Sequence, residues 1–324
     1  MKLLLRAVAA LVVTAGSLTL ALAQSFPTKP VRLIVPYPAG GATDFFARTV
    51  FGKVGEVLGQ PIVIENRPGA GTTIGSELVA KSPPDGYTLL IGDMGTYALN
   101  ASLYKNLKFD PQKSFAPVSL TGRFQMLLVV NKATMPASTL AEFLAYARAN
   151  PGKVNYAAPG PGSPLHVAMD LFKQRAGLNL VAVPYKGGGD AINDLLSGQV
   201  QAMFLDIATA QAQLKGGRIR ALGIASDRRN PAMPDIPTIA ESGVPGYVAY
   251  AWQGFVAPAG TPADVIAKLN TAFATAMQDA DIRRKLAEAA VDPLTGTPEQ
   301  FASYMAAETS RWASVIKASN ISLD

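Results

Sequence analysis

Short runs of β-branched and aliphatic residues alternate with stretches of helical period along most of this chain. Strand-like runs occupy 31–35, 61–65, 87–91, 116–120, 125–130, 154–157, 179–183, 200–205, 219–225 and 249–257. Amphipathic segments lie between many of them. In 45–58, Phe46, Val50, Val54, Val57 and Leu58 recur on one helical face. In 139–149, Thr139 and Glu142 form a T-x-x-E capping pair ahead of Phe143, Leu144 and Ala147. The alternation predicts an α/β fold with mainly parallel strands covered by helices, divided between two sheets. The C-terminal quarter reads differently. Thr261-Pro262 and Thr297-Pro298 are each an N-cap followed by Pro at the first helical position, opening helices near 262–279 and 298–317. A shorter helix near 281–290 lies between them. Phe301, Met305, Trp312 and Ile316 share one face of the last helix and are expected to pack on a sheet.

Two turns of the same design stand out against this pattern. The run Val31–Val35 is followed by Pro36-Tyr37-Pro38-Ala39-Gly40-Gly41-Ala42-Thr43-Asp44 and then by a helical stretch. The run Val154–Ala157 is followed by Pro159-Gly160-Pro161-Gly162-Ser163-Pro164-Leu165-His166 and then by another, from about Val167. Strand, small-residue turn and helix leave unpaired backbone N–H groups at a positive helix end, which binds anions without a charged side chain. Two such turns facing each other would grip a small acid.

The first residues have the form of a secretory signal: Lys2 and Arg6, an apolar run Ala7–Leu22, and Ala21-Leu22-Ala23 as a cleavage site before Gln24. The run is shorter than a membrane span and is diluted by Thr14, Gly16, Ser17 and Thr19. A periplasmic protein cleaved after Ala23 is therefore expected, long enough for two domains.

Composition removes several classes of chemistry. The chain has no cysteine and one histidine, His166. Disulfides, thiol nucleophiles, thiolate metal sites and a multi-histidine metal site within one chain are excluded; no metal and no cofactor is expected. The formal net charge is +6, with basic residues spread along the chain rather than gathered on one face, which argues against nucleic acid as a partner. The G-x-S-x-G elbow is absent, because Pro161 and Leu165 stand where its glycines should be. The phosphate-loop and dinucleotide fingerprints are missing as well. A secreted enzyme remains an alternative to a binding protein, but His166 lacks an evident orienting partner for proton transfer. A packing or hydrogen-bonding role in the first helical turn is the simpler reading of it.

Residues 227–247 are rich in Pro, Asp and Gly and read as a long connection. A chain that leaves a first domain near residue 122 and returns near 248 would cross twice, giving a two-strand hinge. Ligands of open α/β sheets sit beyond the carboxyl ends of the strands. Two such domains would enclose a cleft with one turn on each wall.

The motifs Pro30-Val31-Arg32-Leu33-Ile34-Val35-Pro36-Tyr37-Pro38-Ala39-Gly40-Gly41-Ala42-Thr43-Asp44, Glu65-Asn66-Arg67-Pro68-Gly69-Ala70-Gly71, Pro84-Asp85-Gly86-Tyr87-Thr88-Leu89-Leu90 and Val183-Pro184-Tyr185-Lys186-Gly187 occur in that order. Together with Ala257-Pro258-Ala259-Gly260-Thr261-Pro262 they closely resemble the tripartite tricarboxylate transporter substrate-binding proteins, the Bug or TctC family, across essentially the whole mature chain. The resemblance implies a type II-like periplasmic binding protein with domains 24–122 plus 248–324 and 123–247. It would be a monomer that closes on a small carboxylate (a di- or tricarboxylate, amino acid or aromatic acid) and delivers it transiently to membrane transporter subunits. A periplasmic sensor that presents its closed form to a receptor needs the same closure and is the alternative. By position, the resemblance assigns Tyr37, Ala39, Gly40, Gly41 and Asp44 of the first turn, and Gly162 and Ser163 of the second, to the ligand. Asp206 matches a cleft position, and Asp93 and Thr96 are further candidates. This chain has Gly92-Asp93-Met94-Gly95 where relatives often carry small neutral residues, a ligand with a donor group being one reading of Asp93. Asp44 is favoured as a stabiliser of its turn, since a carboxylate aimed at an anion would repel it. Ser163 combines the roles of N-cap and possible donor. Lys186 is read as a solvated charge, and Trp252 as either a cleft wall or core.

Overall fold

The strand-forming runs collect into two sheets. The computed structural model describes residues 26–323, so the proposed signal segment lies outside the described residues. The first sheet has β1 (Val31–Val35), β2 (Ile62–Asn66), β3 (Thr88–Asp93), β4 (Phe115–Phe124), β10 (Ala251–Pro258) and β11 (Val291–Pro293), in the order β11-β4-β10-β3-β1-β2. The second has β5 (Met126–Asn131), β6 (Asn155–Pro159), β7 (Val181–Tyr185), β8 (Ala202–Asp206) and β9 (Ile219–Ile224), in the order β7-β6-β8-β5-β9. The helices are α1 (Ala42–Leu58), α2 (Thr73–Ala80), α3 (Asn100–Leu103), α4 (Leu140–Ala149), α5 (Pro164–Ala176), α6 (Gly188–Ser197), α7 (Ile207–Lys215), α8 (Ala263–Ala276), α9 (Ala280–Glu288) and α10 (Pro298–Ser319).

The expectation of mainly parallel sheets is corrected: both are mixed. β1 is parallel to β2 and β3, and β6 to β7 and β8. β10, however, runs antiparallel to β3 and β4, β11 antiparallel to β4, and β5 antiparallel to β8 and β9. Of these strands, β5 and β10 do not follow a helical crossover within their sheet, whereas β11 follows β10 through α8 and α9 and points the same way as β10. β5 continues almost directly from β4, with Gln125 between them, and β10 returns after the long connection. The right-handed βαβ rule that aligns the other strands does not act on them.

Core packing joins the two lobes. On one face of the first sheet, Phe46 and Phe51 of α1 meet Phe255 and Phe273, with Phe51 edge-on to Phe255 at 5.2 Å. On the opposite face, one apolar cluster runs from Tyr97, Trp252 and Phe301 through to Phe172, Phe204 and Tyr247 beside the second sheet. Phe301, Met305, Trp312 and Ile316 of α10 are buried in this cluster, as their spacing predicts. β10 accommodates the helix through Gly254, where an added Cβ would stand 2.2 Å from the Phe301 ring. Trp252 and Trp312 both donate their indole N–H to Glu308 Oε2, at 3.0 and 2.8 Å. The far end of α10 reaches α5: Gln174 Nε2 donates to the Val315 carbonyl and to Ser319 Oγ. Trp252 is core rather than cleft wall.

Several helix ends follow the sequence signals. Thr139 accepts the Glu142 N–H, while the Glu142 carboxylate accepts the N–H of Ser138 rather than of Thr139. Thr297 and Gln300 form a complete capping box. Thr261 does not cap α8: its hydroxyl donates to the Pro258 carbonyl, and the N-cap is Pro262. The helix expected to run to 290 stops at Glu288 because Val291–Pro293 pairs with β4. Among the described residues no helix is long and apolar enough to cross a membrane.

Candidate functional site

The first turn is held by one carboxylate. Asp44 accepts the Gly40 N–H at 2.8 Å, Arg48 Nε at 2.9 Å and Asn66 Nδ2 at 2.9 Å. Asn66 also donates to the Tyr37 carbonyl at 3.1 Å. The Arg48 bond and then the Gly40 and Asn66 bonds outweigh burial and bring the Asp44 pKa down to about 2. Gly40 needs its left-handed φ of 84°, which glycine adopts without strain. Gly41 is the N-cap of α1, and no side chain caps this helix. The amides of Ala42 and Thr43 thus have neither an intrahelical acceptor nor a side-chain cap, and residues 38–42 are exposed.

The second turn is closed on itself. Gly160 N–H goes to the Tyr185 carbonyl and Ser163 N–H to the Gly160 carbonyl. Gly162 N–H is accepted by His166 Nδ1 at 3.0 Å. The Ser163 hydroxyl donates to the Pro159 carbonyl at 2.5 Å and accepts the His166 N–H at 3.3 Å, capping α5. Pro161 and Pro164 have no N–H. The expectation that this turn offers free donors to an anion is therefore corrected: Gly162 and Ser163 spend theirs within the turn. His166 must carry its proton on Nε2, which lies 3.6 Å from Asp170 Oδ2. Burial lowers the His166 pKa against the opposing pull of Asp170.

Beside the second turn lies a cavity of about 180 Å³, reached from the first turn by Tyr37 alone. One wall is the second turn, Gly160–Pro164. The other comes from the strand ends and loops of the first lobe: Tyr37, Gly71, Thr72, Asp93, Gly95, Asn100 and Leu103. Leu323 closes one side; its N–H donates to the Leu103 carbonyl at 2.9 Å. Gly162 packs tightly here, since a Cβ on it would stand 2.7 Å from a Leu103 methyl.

Asp93 sits at the end of β3 and accepts the Thr96 N–H at 3.2 Å. Burial raises its pKa, partly countered by the neighbouring Tyr37 hydroxyl and the Thr96 and Gly95 amides. The Tyr37 hydroxyl is buried beside Asp93 and Thr96 without a well-aligned hydrogen bond, and burial together with the Asp93 charge pushes it well above its ordinary value. Gln253 faces Asp93 across the β3–β10 ladder, on the same side of the sheet, with both amide atoms buried and unpartnered. Thr96 is fully buried, its hydroxyl donating to Thr72 Oγ1. Asn100 directs Nδ2 to the Gly71 carbonyl at 2.8 Å and to Thr72 Oγ1 at 3.2 Å.

Of the ten residues singled out from the sequence, Tyr37, Asp93, Gly162 and Ser163 line the cavity. Ala39, Gly40 and Gly41 are exposed just before α1 and are not among the residues lining the cavity. Asp44 braces the first turn, and Thr96 lies behind the wall. Asp206 caps α7, accepting from the Thr209 N–H and hydroxyl at 2.8 Å each. Lys186 is exposed on the loop after β7. Gly71, Thr72, Asn100, Leu103 and Leu323 were not foreseen. The glycine-rich run before Thr72 was a usable signal: Ala70, Gly71 and Thr72 take consecutive left-handed φ values of 45°, 57° and 80°. Among the described residues no cluster of three or more His, Asp or Glu is placed to hold a metal ion.

Two α/β lobes with a cavity at the carboxyl ends of their strands define a solute-binding protein. The chain belongs to the tripartite tricarboxylate transporter receptor family: the family described as "Tripartite tricarboxylate transporter family receptor" matches residues 46–321. BugT of Bordetella pertussis is 36% identical over 318 residues, 98% of this chain and 97% of that protein. The solved structure of Rhodopseudomonas palustris Rpa4515 with adipate is 37% identical, covers 92% of this chain and 99% of its own, and superposes with a TM-score of 0.81. MatC (Rpa3494) of the same organism, with bound malate, is 36% identical, covers 90% of this chain and all of its own, and has a TM-score of 0.76.

Proposed function

We propose that this protein is a periplasmic receptor that captures a small carboxylate between its lobes and hands it to a tripartite tricarboxylate-type transporter. The observation that carries this reading is the cavity between the second turn and the strand ends of the first lobe, with Tyr37 of its wall leading into the uncapped N-terminus of α1. An anion is stabilised there by open amides and the helix dipole. The adipate and malate held by two similar proteins support the ligand class. In this reading the signal leaves after Ala23 and the protein works as a monomer. Its domains are 24–122 plus 248–324 and 123–247, hinged where β4 passes into β5 and where the chain returns to β10. Capture is binding without turnover.

Thermal shift on the protein starting at Gln24, with a panel of small carboxylates, tests it. A ligand at a hundred times its dissociation constant stabilises the native state by about 2.7 kcal/mol. The expected result is a raised Tm with at least one carboxylate and a smaller radius of gyration on saturation. A panel that leaves Tm unchanged throughout defeats the reading.

A further inference from the structure

Hydrogen-bond accounting inside the cavity separates its two ends. On the second lobe, Gly162 N–H, Ser163 N–H and the Ser163 hydroxyl are all consumed within the turn, and the adjacent prolines have no donor. On the first lobe, Asn100 commits its Nδ2 to Gly71 and Thr72, which leaves Oδ1 as its unused acceptor. Asp93 keeps acceptor capacity beyond the amides of Thr96 and Gly95. No lysine, arginine or histidine is among the described residues lining the cavity. The interior thus holds one carboxyl group and no cation, with neutral hydroxyls as its side-chain donors, whereas the uncapped amides of Ala42 and Thr43 lie at the start of α1. Beside Asp93 the Tyr37 hydroxyl on the cavity wall is also unpartnered, as is the Gln253 amide buried behind it.

A second carboxylate placed in this interior would meet Asp93 with no cation to offset the repulsion. A group that donates and carries positive charge meets the unused acceptors and offsets the desolvation of Asp93. We propose that the ligand is a carboxylate that also carries a protonated amine, its ammonium held by Asp93 and Asn100 Oδ1 and its carboxylate by the amides of Ala42 and Thr43. This rests on the carboxylate-receptor reading above and names the ligand class of that same site.

Isothermal titration of the wild-type protein with matched pairs tests it: malonate and glycine, succinate and β-alanine, glutarate and 4-aminobutyrate, adipate and 5-aminovalerate. Within each pair one carboxylate is exchanged for an ammonium at fixed chain length. The expected result is at least tenfold tighter binding of the amino member in the pair that fits best. Asp93→Asn, folded by circular dichroism, should erase that preference, and Asp93→Thr serves if the amide variant is unstable. Tighter binding of the diacid overturns the proposal while leaving the receptor reading intact. So does diacid binding with uptake of one proton, measured in buffers of different ionisation enthalpy, because Asp93 would then share a proton with the ligand. Failure of all eight compounds to bind overturns this proposal and counts against the receptor reading itself.

Discussion

Gly162 donates its backbone N–H to Nδ1 of His166, 3.0 Å away, and so fixes the only histidine of the chain in its neutral form. The proton that would charge the imidazole belongs on the atom that accepts this bond. Burial lowers the folded-state pKa below the unfolded value near 6.5. Stability from the neutral ring is therefore complete above that value. It is lost as pH falls from about 6.5 toward the lower folded-state pKa. Tm should decrease between pH 7.5 and 5 in the wild type, and His166→Asn should flatten that slope. His166→Ala, which orphans the Gly162 amide, should cost about 1–3 kcal/mol in urea unfolding at pH 7.5.

Asp44 predicts the opposite pH window. Its folded-state pKa of about 2 lies below the ordinary carboxylate range, so its contribution is present above about pH 4 and disappears as pH falls through about 2. Arg48 is half exposed and screened, which keeps the contribution to about 1–2 kcal/mol. Asp44→Ala should lower stability by that amount at neutral pH. It should also weaken ligand binding, because Gly40 and Asn66 lose the group that shapes the turn. Urea unfolding at pH 7 and calorimetry check the two effects separately.

Gly41 and Gly162 should respond to substitution in contrasting ways. Gly41 has an ordinary φ of −76°, and an added Cβ would meet only the Pro38 carbonyl at 3.5 Å. Gly41→Val should leave Tm near wild type and weaken carboxylate binding by a hundredfold or more, by crowding the amides of Ala42 and Thr43. Gly162 has a φ of 75° and faces Leu103 at 2.7 Å, so Gly162→Ala should cost stability even without ligand. A Gly41→Val protein that binds like wild type would remove the α1 N-terminus from the site.

Leu323 ties the end of the chain to α3 through the Leu103 carbonyl and forms part of the cavity wall. Deleting residues 321–324 should leave the sheets folded, since α10 ends at Ser319 and its apolar face is buried independently. Ligand dissociation should accelerate, read by stopped-flow competition, with a smaller change in association.

The α/β architecture was legible because each lobe repeats strand, turn and helix with strong periodicity, and the boundaries of β1, β5 and β9 nearly coincide with their apolar runs. Strand direction was not. Nothing in Met126–Asn131 or Ala251–Pro258 says that these strands enter from the other lobe, so their reversal becomes visible only once the sheets are assembled. Site positions followed a similar division. Tyr37, Asp93, Gly162 and Ser163 lie where their motifs end, at the carboxyl ends of strands. The commitment of the Ser163 hydroxyl to Pro159 and of the Gly162 amide to His166 depends on distances of a few ångströms within one turn, which residue types alone do not fix. Leu323 was hidden for another reason: it reaches the cavity from more than 150 residues away in sequence.

The shared carboxylate of Glu308 has an optical consequence. The sequence contains two tryptophans, and both indoles are fixed to that one group where α10 lies on β10. Intrinsic emission excited at the red edge of the indole band therefore originates from a single buried junction, on the helix whose other end rests against α5 of the second lobe. Any rearrangement that moves the lobes must load this helix. The unlabelled protein thus carries its own strain gauge at this junction, which would register the lobe closure proposed above.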